Sequence, residues 1–241
     1  MKGIVLAGGT GSRLFPLTKV TNKHLLPVGR VPMIFHPIAK LIDGGIEEIL
    51  VVTGTEHMGD VVALLGSGRE IGCKLTYKVQ DEAGGIAQAL SLAENFCHGA
   101  PCCVILGDNI FEDSLAGEVA AYAEQKDGAR ILLKEVSDPH RFGVAEIDGA
   151  RVISIEEKPA EPKSNLAVSG IYFFDFEVFD IIRTLRPSAR GELEISDVNN
   201  EYIRLGKLSH GSLDGWWTDA GTFESLTQAQ DLVGEEQGRL F

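Results

Sequence analysis

Between Leu6 and Leu14 the chain reads Leu-Ala-Gly-Gly-Thr-Gly-Ser-Arg-Leu. Glycines let backbone N–H groups approach a polyphosphate closely, and Arg13 adds a charged fork for phosphate oxygens. Glycines alone would be a weak signal. The run is not the dinucleotide fingerprint, because Leu14 stands where the third glycine belongs, and it lacks the Gly-Lys-Ser/Thr that closes a Walker A loop. A nicotinamide-dependent dehydrogenase is therefore disfavoured. Far along the chain, Asp108 follows the apolar run Val104-Ile-Leu106 through one glycine, and Asp219 lies in Trp217-Thr-Asp-Ala-Gly-Thr222. A carboxylate placed like Asp108 emerges where a strand meets a ligand, although a turn-forming or helix-capping aspartate fits the same pattern.

These residues need rigid elements behind them. Ile4-Val-Leu-Ala7 is a short apolar run stopped by glycines, the pattern of a strand buried on both faces of a parallel sheet. The carboxyl ends of such strands are where ligands bind. Helical spacing over Pro32–Leu41 ends at Gly44-Gly45. Glu48–Thr53 reads as a second strand, Met58–Leu65 as a helix, Leu75–Gln80 as a third strand, Ile86–Phe96 as a helix and Val104–Leu106 as a fourth strand. Strands alternating with helices predict a doubly wound α/β sheet. From about Ala129 the rhythm changes to strand-like runs at Ala129–Val136, Val144–Ile147, Val152–Glu156 and Val168–Phe174, which should make the sheet mixed. Further helices are expected at Phe176–Leu185, Ile195–Leu205 and Phe223–Val233, with no repeat, low-complexity tract or long linker.

The 241 residues, 44% of them hydrophobic, suffice for one large domain, and a single domain spanning 1–241 is the reading adopted. A formal net charge of −13 argues against nucleic acid or an anionic membrane as partner. A phosphorylated substrate must then be met by a few local cations, with a metal. Cys73, Cys97, Cys102 and Cys103 form no metal-binding spacing, so structural burial is expected. The N-terminal apolar stretch is too short for a signal peptide or membrane span, which makes a cytoplasmic protein the expectation.

Gly8-Gly-Thr-Gly-Ser-Arg-Leu-Phe-Pro-Leu-Thr18 followed by Lys23-His-Leu-Leu-Pro-Val28 resembles the signature of the sugar-1-phosphate nucleotidyltransferases. The resemblance continues through Leu106–Phe111, Asp138–Val144, Ile155–Pro159, Pro187–Ile195 and Trp217–Thr222. It implies a Rossmann-like doubly wound mixed sheet of the nucleotide-diphospho-sugar transferase type. It also implies an Mg²⁺-dependent in-line transfer of a nucleoside monophosphate from dTTP to glucose 1-phosphate, releasing pyrophosphate. The N-terminal half would serve the NTP and the C-terminal half the sugar phosphate. UTP stays open as the donor, since thymine and uracil differ by one methyl worth about 1–3 kcal/mol to a pocket.

Residue by residue, the resemblance implies Arg13 and Lys23 on the NTP phosphates and Lys158 on the sugar phosphate. Asp108 and Asp219 would hold Mg²⁺; the hard cation keeps waters and takes oxygen ligands from phosphates as well, so two carboxylates suffice. Leu6, Gly8, Gly9, Thr10 and Gly11 would line the nucleotide, with Gln80 and the backbone of Gly85 reading the pyrimidine edge. Asn109, Gly143, Glu157, Val168 and Tyr172 would surround the hexose, Glu157 as hydroxyl acceptor. The chain departs from the family at several points: Glu82-Ala-Gly-Gly85 replaces a Pro-Asp-Gly loop, Thr-Asp-Ala-Gly-Thr replaces Leu-Asp-Thr-Gly-Thr, Phe142 replaces tyrosine and His24 replaces glutamine. Hydrogen bonds from the last two positions should be missing or altered. Longer relatives carry additional C-terminal helices that contribute to assembly and a regulatory nucleotide site, and a chain ending at Phe241 is expected to lack that control. A homo-oligomer is left open. A non-catalytic nucleotide-sensing subunit of the same fold should lack the charged set that is present here.

Overall fold

The computed structural model describes residues 1–234. In chain order the elements are β1 (Lys2–Ala7), β2 (Pro27–Val28), β3 (Val31–Pro32), α1 (Phe35–Asp43), β4 (Glu48–Gly54), α2 (Met58–Leu65) and β5 (Lys74–Gln80). Then follow α3 (Ile86–Ser91), α4 (Glu94–Cys97), β6 (Cys102–Leu106), β7 (Asn109–Phe111), α5 (Ala116–Gln125), β8 (Ala129–Glu135), β9 (Gly143–Asp148), β10 (Arg151–Glu157) and β11 (Leu166–Phe174). The chain continues through α6 (Val178–Thr184), α7 (Ile195–Arg204), β12 (Leu208–Ser212), β13 (Trp217–Asp219) and α8 (Phe223–Val233). The fold is α/β with both parallel and antiparallel strand pairs, as the change of rhythm near Ala129 predicts. No helix among the described residues is long and apolar enough to cross a membrane.

The elements fall into two compact units. The first contains Lys2–Ala83, Ile105–Gly117 and, among the described residues, Gly215–Gly234. There β1 runs parallel to β4 and β4 parallel to β5. Ile4 and Val5 of β1 and Leu50 and Val51 of β4 are fully buried, which is why these runs do not alternate with polar residues. Each such side chain contributes about 1.5–3 kcal/mol through burial. Beyond β6 the Gly107 N–H donates to the Leu6 carbonyl at 2.8 Å, which sets the following turn beside the end of β1.

The turn then enters β7, a short strand that the apolar pattern of the sequence does not assign. It pairs antiparallel with β13, in the register Trp217↔Phe111, Thr218↔Ile110 and Asp219↔Asn109. Helix α8 opens with a reciprocal capping box between Thr222 and Ser225. Its Gln230 carboxamide accepts from the Gly29 N–H at 2.9 Å and donates to the Pro27 carbonyl at 2.6 Å, clamping the β2–β3 hairpin. Val28, Met33, Ile110, Ala220, Ala229 and Val233 close the core under that clamp.

The second unit contains Gly84–Val104 and Glu118–Asp214. Antiparallel pairs join β8 to β11 and β9 to β10, while β12 runs parallel to β8. Inside, Asp175 accepts from the Tyr202 hydroxyl at 2.6 Å and from the Gly128 N–H at 2.6 Å. Burial first, then the neighbouring carboxylate, pushes the Tyr202 hydroxyl pKa far up, so it stays a donor. The helix expected over Ile86–Phe96 is divided instead into α3 and α4. Leu92 and Ala93 bond back three residues, to Ala89 and Leu90, and that tightening ends the first helix before fully buried Ala93. All four cysteines are buried and none is joined in a disulfide, consistent with a packing role.

Candidate active site

In the first unit the glycine run leaves β1 and turns at Gly11, whose φ of +66° is left-handed. The Thr18 hydroxyl donates to the Gly11 carbonyl at 2.9 Å and pins the loop, and the exposed Arg13 follows on a single 3₁₀ turn. Gly8 lets Gln80 approach closely: a Cβ there would lie 2.3 Å from the Gln80 Oε1 and push that side-chain end aside. Gln80, at the end of β5, is buried and lies directly against this loop.

Lys23 sits in the next 3₁₀ turn, capped by Asn22. The Asn22 Oδ1 accepts from the His24 N–H at 2.9 Å, so the oxygen position is fixed and the His24 Nδ1, 2.7 Å away, must be the donor. Burial, reinforced by the charge of Lys23, lowers the His24 pKa to about 3 and keeps the ring neutral. The ring lies under Gly107, where an added Cβ would come within 2.7 Å of it. The residue that replaces the family glutamine is therefore a packed support for the Gly107–Asp108 turn.

The Lys23 Nζ donates to the Asp108 Oδ2 at 2.5 Å, with the two side chains only 11% and 14% exposed. Burial alone would raise the Asp108 pKa; the ammonium overcomes it and holds the carboxyl well below its usual range. The Asn109 amide donates to the other oxygen, Oδ1, at 3.2 Å and accepts from the Trp217 indole at 2.7 Å. The β7–β13 register carries Asp219 to the same place. One point, where a Cβ of Gly221 would stand, is 3.1 Å from the Arg13 Nη2, 3.3 Å from the Asp219 Oδ2 and 3.6 Å from the Asp108 Oδ2. Arg13, Lys23, Asp108 and Asp219 are thus brought together, as expected.

A pocket of about 180 Å³ opens beside them, lined by Gly8, Gly9, Thr10, Thr18, Thr21, Asn22, Gly54–His57 and Gln80–Ala83. Its titratable side chains are Glu56, Asp81, Glu82 and His57, with no lysine or arginine in the lining. The wall at Gly54–His57 is absent from the sequence reading. It was legible in principle, because β4 is another buried parallel strand that ends in glycine, as β1 does. His57 adopts a left-handed backbone, with φ of +63°.

The second unit gathers a different set. Glu157 ends β10 opposite Gly143, and its Oε2 accepts from the Ser196 hydroxyl at 2.6 Å. The Lys158 Nζ is 3.6 Å and the Arg190 Nη2 3.5 Å from the Glu157 Oε1. Lys158 has φ of +46° and its N–H donates to the Phe142 carbonyl at 2.9 Å, so the side chain leaves the strand at a turn, 48% exposed. Arg190 is also held by Glu194, at 2.7 Å. Neither Arg190 nor Ser196 was singled out from the sequence. Val168 and Tyr172 lie buried on β11, on either side of a register shift. Gly85 has φ of +98° and packs on Leu193, whose carbonyl would be 2.5 Å from a Cβ. Gly85 belongs to this unit and Gln80 to the first; Asn109 also belongs to the first unit, whereas Gly143, Glu157, Val168 and Tyr172 belong to the second.

Among the described residues no group of three or more His, Cys, Asp or Glu side chains could hold a metal ion. Asp108 and Asp219 offer two carboxylates, a donor set that suits Mg²⁺ completed by water and phosphate and does not suit a closed structural zinc site.

The nucleotidyl transferase family profile matches residues 2–236. The chain is 45% identical over 237 residues to a glucose-1-phosphate thymidylyltransferase of Neisseria meningitidis, covering 97% of this chain and 82% of the relative. It is 42% identical to the Xanthomonas campestris protein of the same name, covering 99% and 82%. A Bacillus anthracis crystal structure described as a glucose-1-phosphate thymidylyltransferase in complex with sucrose superposes with a TM-score of 0.95 at 57% identity, covering 100% of this chain and 98% of the other. A UDP-glucose pyrophosphorylase solved with UDP-glucose shares the fold, at a TM-score of 0.85 and 23% identity over 95% and 97% of the two chains.

Proposed function

The chain belongs to the nucleotidyl transferase family, and from that membership we propose that it transfers dTMP from dTTP to glucose 1-phosphate, forming dTDP-glucose and releasing pyrophosphate. The observation that carries this reading is the convergence of Arg13, Asp108 and Asp219 around Gly221, with Lys23 on Asp108. An oxygen of the sugar phosphate attacks the α-phosphorus of the NTP as the bond to pyrophosphate breaks. Both reactants are polyanions, so positioning and charge neutralisation supply most of the rate.

The nucleotide is assigned to the first unit. Leu6, Gly8, Gly9, Thr10 and Gly11 shape the loop over which its phosphates lie, and Arg13 and Lys23 receive the departing pyrophosphate. Gln80 presents an amide to the pyrimidine edge. The acidic pocket lining supports this orientation, since it favours an uncharged base and disfavours a triphosphate. Asp108 and Asp219 are the residues that would hold Mg²⁺, which when bound neutralises phosphate charge. Asn109 keeps Asp108 in place.

The sugar phosphate is assigned to the second unit. Lys158 carries the phosphate, Glu157 accepts a hexose hydroxyl, and Gly143, Val168 and Tyr172 form the surround. The high identity to proteins named for glucose 1-phosphate and thymidylyl transfer supports dTTP as the donor over UTP. A grid of dTTP, UTP, CTP, ATP and GTP against several hexose 1-phosphates, read by pyrophosphate release, tests the assignment. Highest kcat/KM with dTTP and glucose 1-phosphate is expected; a strong UTP preference would replace the donor, and no turnover in any cell would sink the reaction.

A further inference from the structure

We propose that Lys23 acts as a placeholder on Asp108, so that the divalent ion and the triphosphate enter by exchanging partners and neither binds the empty protein well alone. The inference rests on the functional reading above and adds a coupling that the reading does not require.

Three observations support it. The Lys23 ammonium already occupies the Asp108 Oδ2, at 2.5 Å, in a pair that water barely reaches. The Arg13 guanidinium stands with the Asp219 Oδ2 and the Asp108 Oδ2 around Gly221, within 3.6 Å of one point. Arg13 and Asp219 thus set one further charge of each sign beside the Lys23–Asp108 pair. The third observation concerns reach. The Lys23 Nζ is 3.5 Å, and its Cε 3.3 Å, from where a Cβ of Gly9 would stand. The same ammonium thus lies against the glycine loop and against Asp108, and a short swing of its flexible end hands it from the carboxylate to a phosphate lying on the loop.

An ion arriving alone must displace Lys23 from Asp108 and leave a buried ammonium uncompensated, a costly state. A metal-free triphosphate that draws Lys23 away leaves the Asp108 carboxylate in the same condition. Arriving together, the phosphate takes the ammonium and the ion takes the carboxylate, and every buried charge keeps a partner. The two affinities must then raise each other by one common factor, and couplings of this kind run from roughly 5-fold to 150-fold.

Mn²⁺, whose free form is counted by electron paramagnetic resonance, probes the ion side on the full chain without nucleotide. Lys23→Met is expected to bind Mn²⁺ roughly tenfold or more tightly than the wild type, and Lys23→Met/Asp108→Asn should lose the gain. Equal affinity in the wild type and Lys23→Met overturns the proposal. Should Lys23→Met fail to fold, Asp108→Asn reads the other side. With EDTA present, it should bind dTTP several-fold more tightly than the wild type by calorimetry, because its ammonium is already released; unchanged or weaker binding overturns the proposal. The wild type mixed with dTTP and Mn²⁺ serves as the separate check. Absence of a ternary complex there defeats the functional reading, whereas the Mn²⁺-only comparison still decides whether Lys23 guards Asp108.

Discussion

In the unit built on β1, β4 and β5, the central charge pair is covered: the Lys23 and Asp108 side chains are 11% and 14% exposed, in contact, and backed by a neutral histidine. In the other unit the charged set at the end of β10 is open to water, with Lys158 48% and Arg190 41% exposed around a Glu157 that is 25% exposed. Removing one partner of a buried pair costs several kcal/mol, because the other charge is left without compensation. Exposed pairs contribute about 0–1 kcal/mol each and rearrange easily. The first arrangement suits chemistry, where every buried charge must keep a partner. The second suits recognition, where one hydroxyl more or less must be accommodated. Disrupting the covered set should therefore cost turnover, and disrupting the open set should cost acceptor use.

The largest expected effect is on the covered side. Asp108→Asn removes a proposed ion ligand while keeping shape, and should lower kcat by roughly 10²-fold or more, about 3 kcal/mol of barrier. Pyrophosphate release measures it, and circular dichroism checks that the fold persists. A folded variant with full activity would erase the contrast between the units. On the open side, Lys158→Ala should reduce kcat/KM for glucose 1-phosphate by roughly 30–100-fold, about 2–3 kcal/mol, while the KM for dTTP holds. If dTTP affinity alone changed, the assignment of Lys158 to the acceptor would be wrong.

The contrast was only partly legible in the sequence. The parallel strands of the first unit announce themselves because both faces are buried, so β1, β4 and β5 read as apolar runs ended by loops. Lys23, Arg13 and Asp108 were found through their motifs. What local pattern could not convey was the pairing that assembles them. β7 and β13 are three residues each and lie over a hundred positions apart, yet their register alone carries Asp219 to Asp108. The clamp of Gln230 on Pro27 and Gly29 is equally non-local. In the second unit, Arg190 and Ser196 escaped notice because their meaning lies in reaching Glu157, more than thirty residues away.

Protonation sharpens the comparison next. The His24 pKa is lowered to about 3 by burial and then by Lys23, so between that value and its ordinary 6.5 the unfolded chain binds a proton that the folded chain refuses. Stability is fully present above pH 6.5 and falls as the pH drops. By pH 5 the loss should be about 2 kcal/mol, visible as a lower urea midpoint at unchanged slope. His24→Gln cannot titrate and should flatten the profile across pH 5–6.5. A wild-type profile already flat there would show that the ring is not held neutral, and that the covered set is less covered than its geometry indicates.

The smallest expected effect belongs to Ser196→Ala. The Ser196 hydroxyl donates to the Glu157 Oε2 at 2.6 Å from the first turn of α7, while Arg190 and Lys158 stand 3.5 and 3.6 Å from the Oε1. Deleting the hydroxyl leaves the carboxylate partnered on one oxygen and free to turn. Because that carboxylate is not sealed from water, the loss should stay near that of an ordinary hydrogen bond, about 1 kcal/mol or roughly fivefold in KM for glucose 1-phosphate. Neither kcat nor the KM for dTTP should move. A fall in kcat comparable to that of Asp108→Asn would mean that Glu157 is held as tightly as the buried pair of the other unit, and that an open charged set performs chemistry as well as recognition.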